Sequence, residues 1–150
     1  MLRRKAAPVE QVTKKTVKLV ADMLETMREA EGVGLAAPQI GFSERIIVVD
    51  IGEGPLVFIN PEIIHYEGTA IDVEGCLSVP ERRGYVKRSA EVTVEGLSEK
   101  GRAVRVSADG WLARVIQHEV DHLNGVLFTD KLMEPPEPRE TATTVRKGEN

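Results

Sequence analysis

Apolar residues recur at three- and four-residue steps early in the chain: Val17, Val20, Leu24 and Met27, with Lys14, Lys15, Lys18, Glu25 and Arg28 between them. That period is the one face of a helix, so the spacing predicts an amphipathic helix over 11–31. Gly32 is the expected stop, because glycine takes the left-handed conformation just past a helix without penalty. The pattern then breaks. GVGLAAPQIG (32–41) holds three glycines and a proline and reads as an irregular loop. RIIVVDI (45–51) and PLVFIN (55–60) are short, β-branched and bounded by turn residues, which marks strands. EVTVEGL (91–97) alternates, Glu99-Lys100-Gly101 turns, and RAVRVS (102–107) returns as the second arm of a hairpin. Ser107 or Asp109 would cap a second long helix that Asn124-Gly125 would close. The order predicts a single α+β domain over 1–133: an N-terminal helix, antiparallel or mixed sheets and a central helix. After Met133, EPPEPRETATTVRKGEN is proline-rich and polar, so 134–150 is expected to be a disordered tail.

Composition narrows the class. A chain of 150 residues suits one domain and buries about 68–70% of its unfolded surface. Apolar residues make up 41% and charged residues 29%, ordinary for a soluble protein. A net charge of −4 gives no electrostatic reason to expect nucleic acid. No apolar run approaches the roughly 20 residues of a membrane span. MLRRKAAPVEQ is basic but has no apolar stretch after it, unlike a secretory signal. Cys76 is the single cysteine, so no internal disulfide forms and a reducing compartment fits. The expectation is a soluble intracellular protein with no membrane partner.

RVIQHEVDHLNG (114–125) carries the candidate chemistry. His118 and His122 stand four apart, on one face of the predicted helix, and can aim imidazole nitrogens at one metal ion. Glu119 is offset from that axis and can act as general base toward a water at the ion. A catalytic site of this kind needs a third protein ligand and one open position. In HExxHxxGxxH the third is a histidine, but here that position holds Phe128. Glu134, Glu137 and Glu140 lie among prolines, where a helix is disfavoured. His65 sits in a strand-rich stretch, where a lone histidine is more often structural. Cys76, in VEGCLSVP, would be a strong ligand as thiolate, and Gly75 allows close backbone approach. An isolated cysteine is otherwise a small buried hydrophobe.

Three short motifs, GVGLAAPQ at 32–39, EGCLS at 74–78 and QHEVDHL at 117–123, stand in the order found in the peptide deformylases, and the chain resembles that family over roughly 2–133. The resemblance implies a metallohydrolase domain over 1–133 with Cys76, His118 and His122 binding one divalent metal. It implies Glu119 as acid/base, with the Gln39 amide and the Leu77 backbone N–H meeting the oxyanion. The reaction implied releases formate from the N-terminal formyl-methionine of newly made polypeptides, a setting compatible with the ribosome and a bacterial cytoplasm. Ferrous iron is the metal implied in the cell; zinc, nickel or cobalt can take the same site in a purified sample. Family members commonly carry several more residues before Met1-Leu2-Arg3-Arg4, and many end in a helix that EPPEP would block here.

Substrate contacts are placed by position. Trp111 and Val115 precede His118 by seven and three residues, on the ligand face of the helix, and with Val33 are candidates for an apolar wall around the methionine side chain. The chain beside Gly34 can pair with the substrate backbone as an added strand. Arg83 and Arg88 can each steady the peptide or pair with Glu74. Asp121 is expected to orient a ligand or neighbouring backbone.

Overall fold

The first helix, α1, spans Lys14–Glu29 and starts at a reciprocal threonine cap. Thr13 Oγ1 accepts from the Thr16 backbone and Thr16 Oγ1 from the Thr13 backbone, satisfying two of the N–H groups a helix start leaves unpaired. Its buried face runs through Thr16, Leu19, Val20, Met23 and Met27. Val17, expected in that stripe, is 42% exposed, and Leu24 is only partly buried. The stripe is rotated because Leu19 and Met23, not Val17, meet the sheet. Nor does Gly32 supply the left-handed turn. Glu31 does, at φ 56°, while Gly32 N–H donates to Met27 O and Glu31 N–H to Arg28 O. These two bonds put the left-handed position one residue earlier, at a steric cost of about 1–2 kcal/mol for a non-glycine.

The stretch expected to be an irregular loop is built. Gly34–Ala36 forms strand β1, fully buried, and Ala37–Ile40 a turn of 3-10 helix ending at Gly41, φ 92°. Pairing with β2 (Ile46–Val49) overrides local composition, with Leu35 opposite Val48. Next come β3 (Leu56–Glu67), β4 (Ala70–Cys76), β5 (Val79–Arg88), and the expected hairpin of β6 (Glu91–Leu97) and β7 (Ala103–Asp109). Helix α2 spans Gly110–Leu123 and leaves β7 directly. Asp109 holds its N-cap position without a side-chain cap bond, and Ser107 lies inside β7. Asn124 is the C-cap and Gly125 takes φ 75°. A two-residue strand, β8 (Leu132–Met133), follows. The computed structural model describes residues 3–76 and 79–135, with the backbone alone for 79–81. Residues 136–150 of the expected tail lie outside that range.

A five-stranded antiparallel sheet has the order β1-β2-β3-β6-β7, and a three-stranded one the order β4-β5-β8. At β1 and β2 the larger sheet is covered on both faces, which is why every residue of β2 is buried. Ile46 and Val48 face Leu19, Val20, Met23 and Met27 of α1. Ile47 and Val49 face Ala113, Ile116, Val120 and Leu123 of α2. Alternation along β2 thus assigns each side chain to one helix. Among the described residues, neither apolar cluster includes a residue of β4 or β5.

Asn60, at φ 55°, sits within the register shift of β3 between Ile59 and Glu62. Its amide accepts from Val9 N–H and donates to Val9 O, both at 2.8 Å. This clamp ties the N-terminal segment to the sheet.

Candidate metal centre

Helix α2 brings its ligand face to the end of β4. The donor atoms of Cys76, His118 and His122 lie within 4.8 Å of one another. Cys76 Sγ stands 3.2 Å from His122 Nε2. For tetrahedral coordination the bond lengths of zinc to sulfur and nitrogen place these two atoms roughly 3.6 Å apart, close to the separation observed. Gln39 Oε1 accepts from Ala36 N–H at 2.8 Å, which turns the amide nitrogen toward the thiol, 3.6 Å from Sγ. All three candidate ligands and the Gln39 amide therefore meet.

A carboxylate aims His118. Glu74 Oε1 lies 2.9 Å from His118 Nδ1, so that nitrogen carries a proton as donor and Nε2 is left for a ligand. Glu74 is itself gripped by Arg88, through Nε and Nη2 at 2.6 and 2.8 Å, and by Arg114 Nη1 at 2.6 Å. Arg88 Nη1 reaches on to Asp121 at 2.8 Å, and Lys131 meets the same carboxylate. Burial works against ionised Glu74, yet the bonds from Arg88 and His118 hold its carboxyl down to about 2. Burial likewise works against charge on His118, but hydrogen bonds with Cys76 and Glu74 and the charge of Glu119 push it up to about 10. The protein groups by themselves call for positive charge at this point. A divalent ion held there would supply that positive charge in place of a proton, because a ligating imidazole is neutral.

Glu119 is 5% exposed, and its Oε1 and His122 Nδ1 are buried without hydrogen-bond partners among the described residues. Burial raises the Glu119 carboxyl, and the two imidazoles only partly offset it. An unpaired, buried carboxylate of raised basicity beside three metal donors is suited to moving a proton.

These groups form the floor of a cavity of about 400 Å³ lined by Val33, Gly34, Gln39, Cys76, Arg83, Trp111, Val115, His118 and Glu119. Every expected wall residue is therefore present. Trp111 stands at the mouth, 56% exposed, while Val115 is 5% exposed. His122 lies behind, at 1%. Leu77 lies outside the described residues. Of the alternative ligands, His65 is on the surface of β3 beside Glu67, and Glu134 is exposed outside the donor cluster. Glu137 and Glu140 lie outside the described residues. Phe128, at the position where a third histidine would stand, stacks on His118 with ring centroids 5.8 Å apart.

Arg88 takes Glu74 and Asp121, resolving the two options considered for it; Arg83 lines the cavity instead. Sequence reasoning missed the Glu74–His118 bond and the whole role of Arg114. The available signal was an arginine one turn before His118 on a buried helix face, where a buried cation requires an acidic partner.

The polypeptide deformylase family matches residues 1–137. The peptide deformylase of Halothermothrix orenii is 59% identical over 135 residues, covering 89% of this chain and 88% of that protein. Peptide deformylase 1 of Clostridium acetobutylicum is 54% identical over 134 residues, 89% of each. The crystal structure of the Thermotoga maritima peptide deformylase superposes with a TM-score of 0.86 at 44% identity, covering 89% of this chain and 91% of that one. The Synechococcus elongatus peptide deformylase, solved in complex with actinonin, gives 0.86 at 46%, covering 89% and 74%.

Proposed function

This chain belongs to the polypeptide deformylase family, a hydrolase that removes the N-formyl group from nascent peptides, and we propose that its Cys76, His118 and His122 hold one divalent ion for that reaction. The carrying observation is the convergence of those donors beside the buried, unpaired Glu119 carboxylate. The donor set fits the group: one thiol and two imidazoles, one aimed by Glu74, make three protein ligands and leave a position for substrate. When bound, the ion supplies a Lewis acid and brings the pKa of water down toward about 7.

Glu119 takes the proton from the attacking water on its carboxylate and returns it to the departing amine nitrogen. The Gln39 amide N–H donates to the formyl oxygen as charge gathers there, and the Leu77 backbone N–H is assigned the same task. Loss of one such donor costs about 10²–10³ in rate. Val33, Trp111 and Val115 form the wall for the methionine side chain. The edge at Gly34 offers backbone pairing to the peptide, and Arg83 steadies it at the mouth. Closure of the floor by Val115 and the helix keeps bulk water from Glu119.

Ferrous iron is the ion assigned in the cell, with zinc, nickel or cobalt alternatives for the same donors. The partner is the formyl-methionyl nascent chain, met at the ribosome in a bacterial cytoplasm. Among the described residues, no helix is long and apolar enough to cross a membrane. The test is formate release from formyl-Met-Ala-Ser by protein purified without oxygen and loaded with ferrous iron. Release by the wild type and a loss of about 10²–10⁴-fold in Glu119→Ala support the assignment. Equal rates in the two proteins refute the role of Glu119, and no release by metal-loaded wild type refutes the function.

A further inference from the structure

The three-stranded sheet that carries Cys76 meets α2 through polar groups. Among the described residues of β4 and β5 the one buried apolar side chain is Val86, and neither strand joins an apolar cluster, so polar contacts carry most of what sets the distance between the thiol and the two imidazoles. Arg114 stands one turn before His118 on α2 and is 7% exposed. Its Nη1 donates to Glu74 Oε2 at 2.6 Å and to Val86 O at 3.0 Å, and its Nη2 to Ala70 O at 2.9 Å. One planar guanidinium thus grips the start of β4, the residue two before Cys76, and the neighbouring strand β5. A second grip lies two turns along the same helix, where Asp121 takes Arg88 from the end of β5. The two grips lie on either side of His118, roughly 10 Å apart at 1.5 Å per residue, the second next to His122.

We infer that Arg114 is a positioning residue of the metal centre, holding the β4–β5 hairpin, and with it Cys76 and Glu74, at the distance from α2 where thiol and imidazoles converge. The inference deepens the metal-site reading above and rests on it. Arg114 gives three donor bonds in a fixed fork, which a lysine ammonium on a flexible stem cannot reproduce. Its loss leaves Glu74 with Arg88 and His118 but frees the carbonyls of Ala70 and Val86, so the hairpin gains latitude relative to the histidines.

The test compares wild type with Arg114→Met and Arg114→Lys in zinc affinity, measured by competition with a chromophoric chelator, and in the kcat and KM of the iron-loaded enzyme. The methionine keeps an apolar wall of similar length. Arg114→Met is expected to weaken zinc binding about 10–100-fold and lower kcat, with KM for formyl-Met-Ala-Ser within about twofold of wild type and Arg114→Lys intermediate. Wild-type zinc affinity in Arg114→Met, with or without a rise in KM, overturns the inference and leaves Arg114 a wall of the cavity. If the methionine variant does not fold, Arg114→Lys decides in the same way. Failure of the wild type to bind zinc counts against the metal site itself. Zinc binding without deformylation counts against the function, and the affinity ratio still decides the role of Arg114.

Discussion

Replacing Gly34 with alanine adds one methyl group to β1 where the strand passes over Glu119. An ideal Cβ there lies 2.8 Å from Glu119 Oε2, 2.8 Å from Val115 Cγ1 and 3.0 Å from Glu119 Cγ. Carbon contacts are most favourable near 3.5–4.0 Å, so roughly 0.7 Å must be recovered. The strand cannot easily retreat, because β1 is fully buried and paired to β2 along its length. Glu119, with three side-chain torsions, yields first. Overpacking of this kind costs about 1–3 kcal/mol of stability, whereas a displacement of about 1 Å in a reacting group costs about 10²-fold in rate. Gly34→Ala is therefore expected to lose kcat by about 10²-fold in the formate-release assay, with KM changed by less than about threefold and zinc affinity retained. A folded Gly34→Ala protein with wild-type kcat refutes the argument. So does a loss confined to KM, which would mean that Gly34 acts only by pairing with the substrate backbone.

Glu74→Gln removes the charge between two buried guanidinium groups and His118; breaking one partner of a buried ion pair costs about 3–5 kcal/mol, measurable by urea unfolding, and a loss below about 1 kcal/mol would show that the network is energetically idle. Asn60→Ala forfeits two hydrogen bonds to Val9, about 1 kcal/mol each, and keeps a left-handed φ that alanine resists; a fall of about 3 kcal/mol is expected in the same experiment, and an unchanged midpoint contradicts it. His65→Ala touches only a surface pair with Glu67; metal affinity and kcat both stay within about twofold, and loss of either would restore His65 as a ligand.

The helix-borne half of the centre was legible because it is local. His118 and His122 share a face by helical period alone, and Glu119 follows from its offset. The hairpin at 91–107 was legible for the same reason, its alternation and turn lying within one short stretch. Where remote partners decide, local reading went astray. β1 looks like a loop in composition but is a strand because β2 takes up its backbone bonds. Val17 fits the period of the apolar stripe but lies off it, because the sheet meets α1 along the line of Leu19 and Met23. Glu31 occupies the left-handed position one residue before the glycine that local propensity favours.

By itself the sequence carried the family likeness and the candidate donors, since three short motifs fix the donor types and helical spacing puts His118 and His122 on one face. Tertiary structure alone decided how they meet. Glu74 reaches His118 across 44 positions and Arg114 reaches back to Glu74 across 40, and no local preference encodes such distances. Their geometry exists only once buried charges must find partners, because an unpaired ion in the interior costs more than ordering the side chains that neutralise it.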